Sequence, residues 1–294
     1  MKPKETINLY RVISLLVIAL VTFGVMGGLC AKSHLYPDEW LSMFFLTLIF
    51  LLVCMFELEY ERKQKGISAN TQTTFIRLSV TYTVSGGLIY AISYLPEFYR
   101  PVMIPVILLT AVSNSMVAVS FGLFFDLVLA LTVGGSFYAL AAYMMLTMLA
   151  AVLAQALKEK KYRMGVSLLT FFFSLMIPEL FSYLSTKEMQ KYSLLYAFGT
   201  AFLTFLTAAF LFHRLLHEAD QEIENHLLDI VSEDYSEVKA LKDFSMVEYR
   251  HAVKVSDIAC RCAKEVGYRA NLCLAGGFYY RMGRWIGEPY IKNA

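Results

Sequence analysis

The chain has 294 residues, 57% hydrophobic and 17% charged, with a mean hydropathy of +0.54 and a formal net charge of +2. Soluble domains are roughly 45–50% apolar and about 25% charged, so the composition excludes a soluble globular protein and describes an integral membrane one. The near-neutral charge gives no general affinity for nucleic acid, and no nucleic-acid polymer is expected as a partner.

Uncharged runs, measured against the roughly 20 residues that a spanning helix needs, predict an all-α polytopic bundle of about eight spans, one plus seven. The first is Val12–Leu29. It is long for a signal-peptide core and lacks a small-x-small site after Cys30, so no cleaved signal peptide is expected. Trp40–Phe56 and Leu78–Leu95 follow. The stretch Val102–Leu157 holds a single charge, Asp126, and breaks at Ser113-Asn114-Ser115 and Gly134-Gly135-Ser136. The breaks give pieces at 102–112, 116–133 and 137–157. The first piece is short, and reads either as a half-helix or as a tilted span with a tight turn. Met164–Tyr183 and Leu194–Phe212 complete the set.

Loop charges orient the spans. Eleven basic residues fall on one side: Lys2, Lys4, Arg11, Arg62, Lys63, Lys65, Arg77, Lys158, Lys160, Lys161 and Arg163. Four fall on the other, namely Lys32, Arg100, Lys187 and Lys191. The basic side is the cytoplasmic one, so both termini are expected there, and eight spans return the chain to it at His213. Two acidic residues lie in or near the membrane. Asp126 is mid-span, and Glu179 follows Pro178. A carboxylate in a span normally faces the bundle interior. For Asp126 an ion path stands beside an interhelical hydrogen bond to Ser or Asn; for Glu179 it stands beside simple interfacial exposure.

Beyond residue 213 the composition changes, with 11 basic and 13 acidic residues among the last 81. HRLLHEADQEIENHLLDIV predicts a helix continuing from the last span. Leu216, Ile223 and Ile230 recur every seven residues with Leu227 beside them, either as a homodimer seam or as packing within the tail. A second tail helix is predicted from Met246, with Val255, Ile258, Ala259, Cys262 and Val266 as its apolar face and Gly267 as its stop. His251, one turn before Val255, is expected on that buried face. A third helix is predicted from Ala270 into GGFYYRMGRW, where Gly276-Gly277 would allow close packing. The five cysteines, Cys30, Cys54, Cys260, Cys262 and Cys273, have no framework spacing and read as free thiols.

EYRHAVKVSDIACRCAKEVGYRANLCLAGGFYYRMGRW resembles the opening of the HD domain in bacterial seven-transmembrane HD proteins, the PgpH-type membrane phosphodiesterases that hydrolyse cyclic di-AMP. Tyr249, His251, Gly267, Gly276, Tyr279 and Gly283 fall on matching positions. The one-plus-seven span order and the stretches RPVMIPVILL and KEKKYRMGVSLL also look like that family. The resemblance implies four segments: a first span with a short outer loop (1–40), a seven-span bundle (41–213), a linker helix (214–234) and a truncated, degenerate HD-like domain (235–294). It also implies a bacterial cytoplasmic membrane location.

The departures bear on function. The family's His-Asp metal pair stands here as Tyr280 and Arg281. Arg250 replaces the first histidine of the earlier motif, the outer sensor domain is reduced to the loop 31–40, and no histidine follows His251. Metal-assisted hydrolysis needs imidazole or anionic ligands. A guanidinium about 4 Å from another positive charge costs roughly 4 kcal/mol at an effective dielectric near 20. The expectation is therefore no catalytic residue, no metal and no cofactor, although the family uses two divalent ions. The protein would be a signalling pseudoenzyme or regulator in the lipid bilayer. Arg250, Arg281 and Arg284 could together hold a phosphate, such as that of a cyclic dinucleotide, or pair with Glu248, Asp257 or solvent. The alternative functions are a small-solute or ion transporter and a phosphodiesterase completed by a partner chain.

Overall fold

The computed structural model describes residues 9–63, 72–159, 161–188 and 192–280. They are helical, with no strand among them. In chain order the α-helices are α1 Leu9–Lys32, α2 Pro37–Lys63, α3 Gln72–Ile92, α4 Met103–Val112, α5 Ser115–Thr132, α6 Phe137–Leu157, α7 Arg163–Thr186, α8 Ser193–Leu206, α9 Phe212–Asp229, α10 Ser236–Phe244, α11 Met246–Val266 and α12 Ala270–Tyr279. A 3-10 turn, Glu97–Tyr99, precedes α4, and a π turn, Thr207–Leu211, joins α8 to α9. The chain divides between Leu216 and His217 into two compact units.

Among the described residues, seven helices are long and apolar enough to cross a membrane, and the chain is a multi-pass membrane protein. Exposed apolar side chains such as Leu41, Phe45, Ile49, Leu52 and Phe56 on α2 are what a lipid-facing helix carries, because acyl chains replace water as its solvent. The fourth expected span is the half-helix of the two alternatives. Ten residues rise about 15 Å, half of a hydrocarbon core of about 30 Å. Residues 103–111 of α4 are all buried, so its neighbours cover it instead of lipid. Pro101 precedes it, and Ser113 closes it by returning both its N–H and its hydroxyl to the Leu109 carbonyl at 2.8 Å.

Side-chain contacts fix the direction of each membrane helix. Ser14 meets Ser79, Thr22 meets the Tyr82 hydroxyl, and Lys32 meets Ser93, so α1 and α3 run parallel. Arg11, early in α1, pairs with Glu59 near the end of α2, which runs back. Just before α4, Arg100 bonds Tyr143 early in α6, while just after α4, Ser115 accepts from Gln155 late in α6. The α4 segment therefore carries the chain from one end of α6 to the other. Ser174 meets Thr204, making α7 and α8 antiparallel, and Arg163 at the start of α7 contacts His213. Arg11, Arg163 and His213 thus lie at one end of the bundle, and Lys32 and Arg100 at the other. Tyrosine and tryptophan gather at the second end, with Tyr36, Trp40, Tyr90, Tyr94, Tyr138 and Tyr192 exposed near helix termini, as in an interfacial aromatic belt.

Small residues set the core spacing. Ala139, Ala142, Ala150 and Ala154 form a buried stripe on α6, letting backbones approach where no hydrophobic effect drives association. Gly122 of α5 is pressed between Val106 of α4 and Thr147 of α6.

The tail unit has its own small core. Val238 and Leu241 of α10 pack with Ala252 of α11 and Phe278 of α12, flanked by Val231, Tyr235, Tyr249 and Tyr279. The Ser245 hydroxyl accepts from the Glu248 N–H at 3.3 Å, capping α11. Gly267 ends that helix with φ 76°, the left-handed conformation that glycine adopts without strain. Ile223 and Leu227 of α9, and Ile230 in the turn after it, are half-buried. α10 has no counterpart in the sequence reading.

The predicted face of α11 is corrected. Ala252, Ser256, Cys260 and Ala263 are buried, whereas Ile258, Cys262 and Val266 are exposed. The cause is α12. A Cβ on Gly277 would lie 2.9 Å from Ser256 Cα and 3.2 Å from the Val255 carbonyl oxygen, so the two helices meet backbone to backbone and only small side chains fit between them. A Cβ on Gly276 would meet nothing within 4 Å; of the glycine pair, Gly277 alone makes the close approach.

Candidate functional site

The tail motif is built on the antiparallel pair α11 and α12. His251 lies in the second turn of α11, and Tyr280 follows the last residue of α12. The His251 Nε2 and the Tyr280 hydroxyl share a 2.6 Å hydrogen bond, though 29 residues separate them. Both side chains are exposed, so the expectation of a buried His251 is corrected. It stands beside Ala252 and not on the Ala252–Ser256–Cys260 stripe, and therefore points outward.

Other members of the motif serve the local fold. The Tyr249 hydroxyl donates to Glu233 at 3.2 Å, and Lys242 donates to the same carboxylate at 3.2 Å. The Lys242 ammonium holds Glu233 below the usual carboxylate range. The Tyr279 hydroxyl donates to the Ile230 carbonyl, and burial pushes its phenol up to about 12. Matching tyrosines on Tyr249 and Tyr279 thus tie α11 and α12 to the segment that leads from α9 into α10.

Arg250 is exposed and makes no ion pair among the described residues. Asp257 bonds Arg261 at 2.7 Å instead. Arg281 and Arg284 lie outside the described residues, as does Gly283. Among the described residues no three His, Cys, Asp or Glu side chains gather as a metal site. All five cysteines are free thiols; Cys260 is buried and Cys262 exposed, on different faces of α11.

In the membrane unit Asp126 is 1% exposed and accepts a 2.6 Å hydrogen bond from the Thr147 hydroxyl. This is an interhelical bond between α5 and α6, made to a threonine and not to the expected serine or asparagine. Glu179 departs from the expectation of interfacial exposure. It is half-buried and its Oε1 is shut off from solvent. Tyr99, folded inward by the 3-10 turn, brings its hydroxyl into the neighbourhood of Glu179, Ser182 and Ser193, where neither it nor Glu179 Oε1 makes a hydrogen bond of good geometry. A separate open groove of about 370 Å³ between α1 and α3 is walled by Ile13, Val17, Ile76 and Val84 and offers almost no polar group for chemistry.

One residue that the sequence reading treated only as a loop charge is part of the interior. Arg100 is 4% exposed. Its Nε donates to the Leu95 carbonyl at 3.3 Å and its Nη1 to the Tyr143 hydroxyl at 3.2 Å. The signal available in the sequence was its position directly before Pro101 and an 11-residue uncharged run too short to span. The chain matches no protein-family model, no curated protein and no solved structure.

Proposed function

We propose that the protein is a non-catalytic signalling member of the seven-transmembrane HD type, a pseudoenzyme whose helical tail lies on the cytoplasmic side of a bacterial membrane. The observation that carries this reading is the contact between His251 and Tyr280. The resemblance aligns these two positions with histidines of a metal site, and a metal site requires such positions to be neighbours. Here they are neighbours, but the second is a phenol that bonds the imidazole. Neutral phenol is a poor ligand for a divalent ion, and Arg281 places a fixed positive charge where the family has a carboxylate. The basic loops at the Arg11 and Arg163 end support the cytoplasmic placement of the tail.

The test is turnover of cyclic di-AMP by the purified full-length chain in manganese, with elemental analysis of the same sample. Neither turnover nor tightly bound metal is expected. Tyr280→His combined with Arg281→Asp is expected to create no activity, since Arg250 still stands where the family has the first histidine of the earlier motif. Stoichiometric manganese or iron with measurable turnover in the wild type overturns the reading. Calorimetry with cyclic di-AMP is expected to give no saturable heat. Micromolar binding lost in Arg281→Ala would replace an inert tail with a ligand-sensing one. The transporter reading loses ground to the Thr147 bond, which gives Asp126 a packing role.

A further inference from the structure

We propose that Lys32 and Arg100 form a phosphate-binding site at the tyrosine-rich end of the membrane bundle. The site rests on the membrane unit alone and is independent of the function proposed for the tail.

The two cations close on one short turn. Lys32, the last residue of α1, donates to the Ser93 carbonyl and hydroxyl, each at 2.8 Å, and its ammonium sits 3.5 Å from the centre of the Tyr94 ring. Arg100 reaches the same turn from the other side through the Leu95 carbonyl. The charges lie near enough to repel one another. Neither makes an ion pair with a carboxylate among the described residues. The nearby acid Glu97 turns its Oε1 to the Ser136 N–H, and Glu179 lies by Tyr99.

A guanidinium that is 4% exposed and held only by neutral acceptors is costly, because a buried charge needs a counter-charge. Arginine has five N–H donors in a planar fork, and protein acceptors engage two of its nitrogens here. The remaining fork geometry suits a tetrahedral oxyanion. The start of α4 lies three residues on and has no acidic residue in its first turn, so the helix dipole adds to the positive field. Pro101 and Pro105 remove two N–H groups there, which leaves the guanidinium as the principal donor.

The depth selects phosphate. Tyr36, Trp40, Tyr90 and Tyr94 mark this end as the level of lipid headgroups, where phosphodiesters are the abundant anions. The phosphate can come from a phospholipid or from solution, and the experiment separates the two.

The full-length protein is delipidated in neutral detergent and offered phosphatidylglycerol or diacylglycerol, which share acyl chains but differ in phosphate. Retention is read by native mass spectrometry, and inorganic phosphate is titrated separately by calorimetry. Retention of phosphatidylglycerol over diacylglycerol, weakened about tenfold by Arg100→Gln and less by Lys32→Gln, supports the site with a lipid source. Saturable inorganic phosphate binding with the same variant order, without lipid preference, supports it with a soluble source. Lys32→Gln removes a half-buried charge and so remains informative if Arg100→Gln does not fold; Lys187→Gln, another cation of this end, is expected to change nothing. Equal retention of both lipids with no phosphate binding overturns the proposal. So does binding that neither Arg100→Gln nor Lys32→Gln weakens.

Discussion

Thr147 donates its hydroxyl hydrogen to Asp126 across 2.6 Å, and its methyl group covers Gly122, one turn earlier on the same helix. One threonine thus supplies both the polar and the steric contact between α5 and α6. The polar contact places Asp126 in the packing of the bundle. Thr147→Val keeps the shape and removes the donor, leaving a buried carboxyl group without its hydrogen bond. The expected loss is about 1–2 kcal/mol of bundle stability, read by thermal unfolding in detergent. Unchanged stability would mean that another group satisfies Asp126.

Gly122→Ala tests the steric half. The new Cβ would lie 2.6 Å from a Val106 methyl and 2.7 Å from the Thr147 methyl, an overpacking that costs about 1–3 kcal/mol. Thr147→Ser deletes one of the two clashing methyls and keeps the hydroxyl. The double variant Gly122→Ala, Thr147→Ser should therefore be more stable than the sum of the two single changes. Simple additivity would refute the contact.

In the tail, Gly276 and Gly277 are expected to respond with opposite sign. Gly277→Ala pushes α12 off the α11 backbone and should cost about 1–3 kcal/mol. It also draws Tyr280 away from His251. Gly276→Ala meets open space and gains helix propensity, stabilising by up to about 1 kcal/mol. Hydrogen exchange of the α12 amides in the full-length protein reads both changes.

Tyr279 gives the tail an alkaline limit. Burial raises its phenol to about 12, above the unfolded value of about 10. The folded state therefore favours the protonated form, and this contribution is complete below pH ~10 and is lost as pH rises through about 12. Tyr279→Phe leaves the Ile230 carbonyl without its donor, which costs about 1 kcal/mol at neutral pH, and removes this part of the alkaline transition. Thermal unfolding against pH, with tyrosinate absorbance, separates the variant from the wild type.

Topology is tested with single cysteines at Tyr36 and Tyr162, both exposed at opposite ends of the bundle, in a background without Cys262 and Cys273. A membrane-impermeant maleimide on intact cells is expected to label position 36 and spare position 162. The reverse pattern would invert the proposed orientation.

The spans were legible in the sequence because lipid imposes a one-dimensional rule: about 20 uncharged residues, then a polar break. Ser113-Asn114-Ser115 and Gly134-Gly135-Ser136 marked the limits of α4, α5 and α6, and Gly267 marked the end of α11, because breaks and caps are local chemistry. Faces and depths depend on neighbours, and these only the tertiary structure decided. Ile258, Cys262 and Val266 looked like part of the inner face of α11 on spacing, yet Gly277 brings α12 so close that Ala252, Ser256, Cys260 and Ala263 take that place. α10 was missed because nine residues with two buried anchors, Val238 and Leu241, are too short to show a period. Arg100 counted as a loop charge until the half-helix behind it and Tyr143 across from it enclosed its guanidinium. Burial of a charge is a property of the groups around it, and nothing in its own sequence position reports how they close.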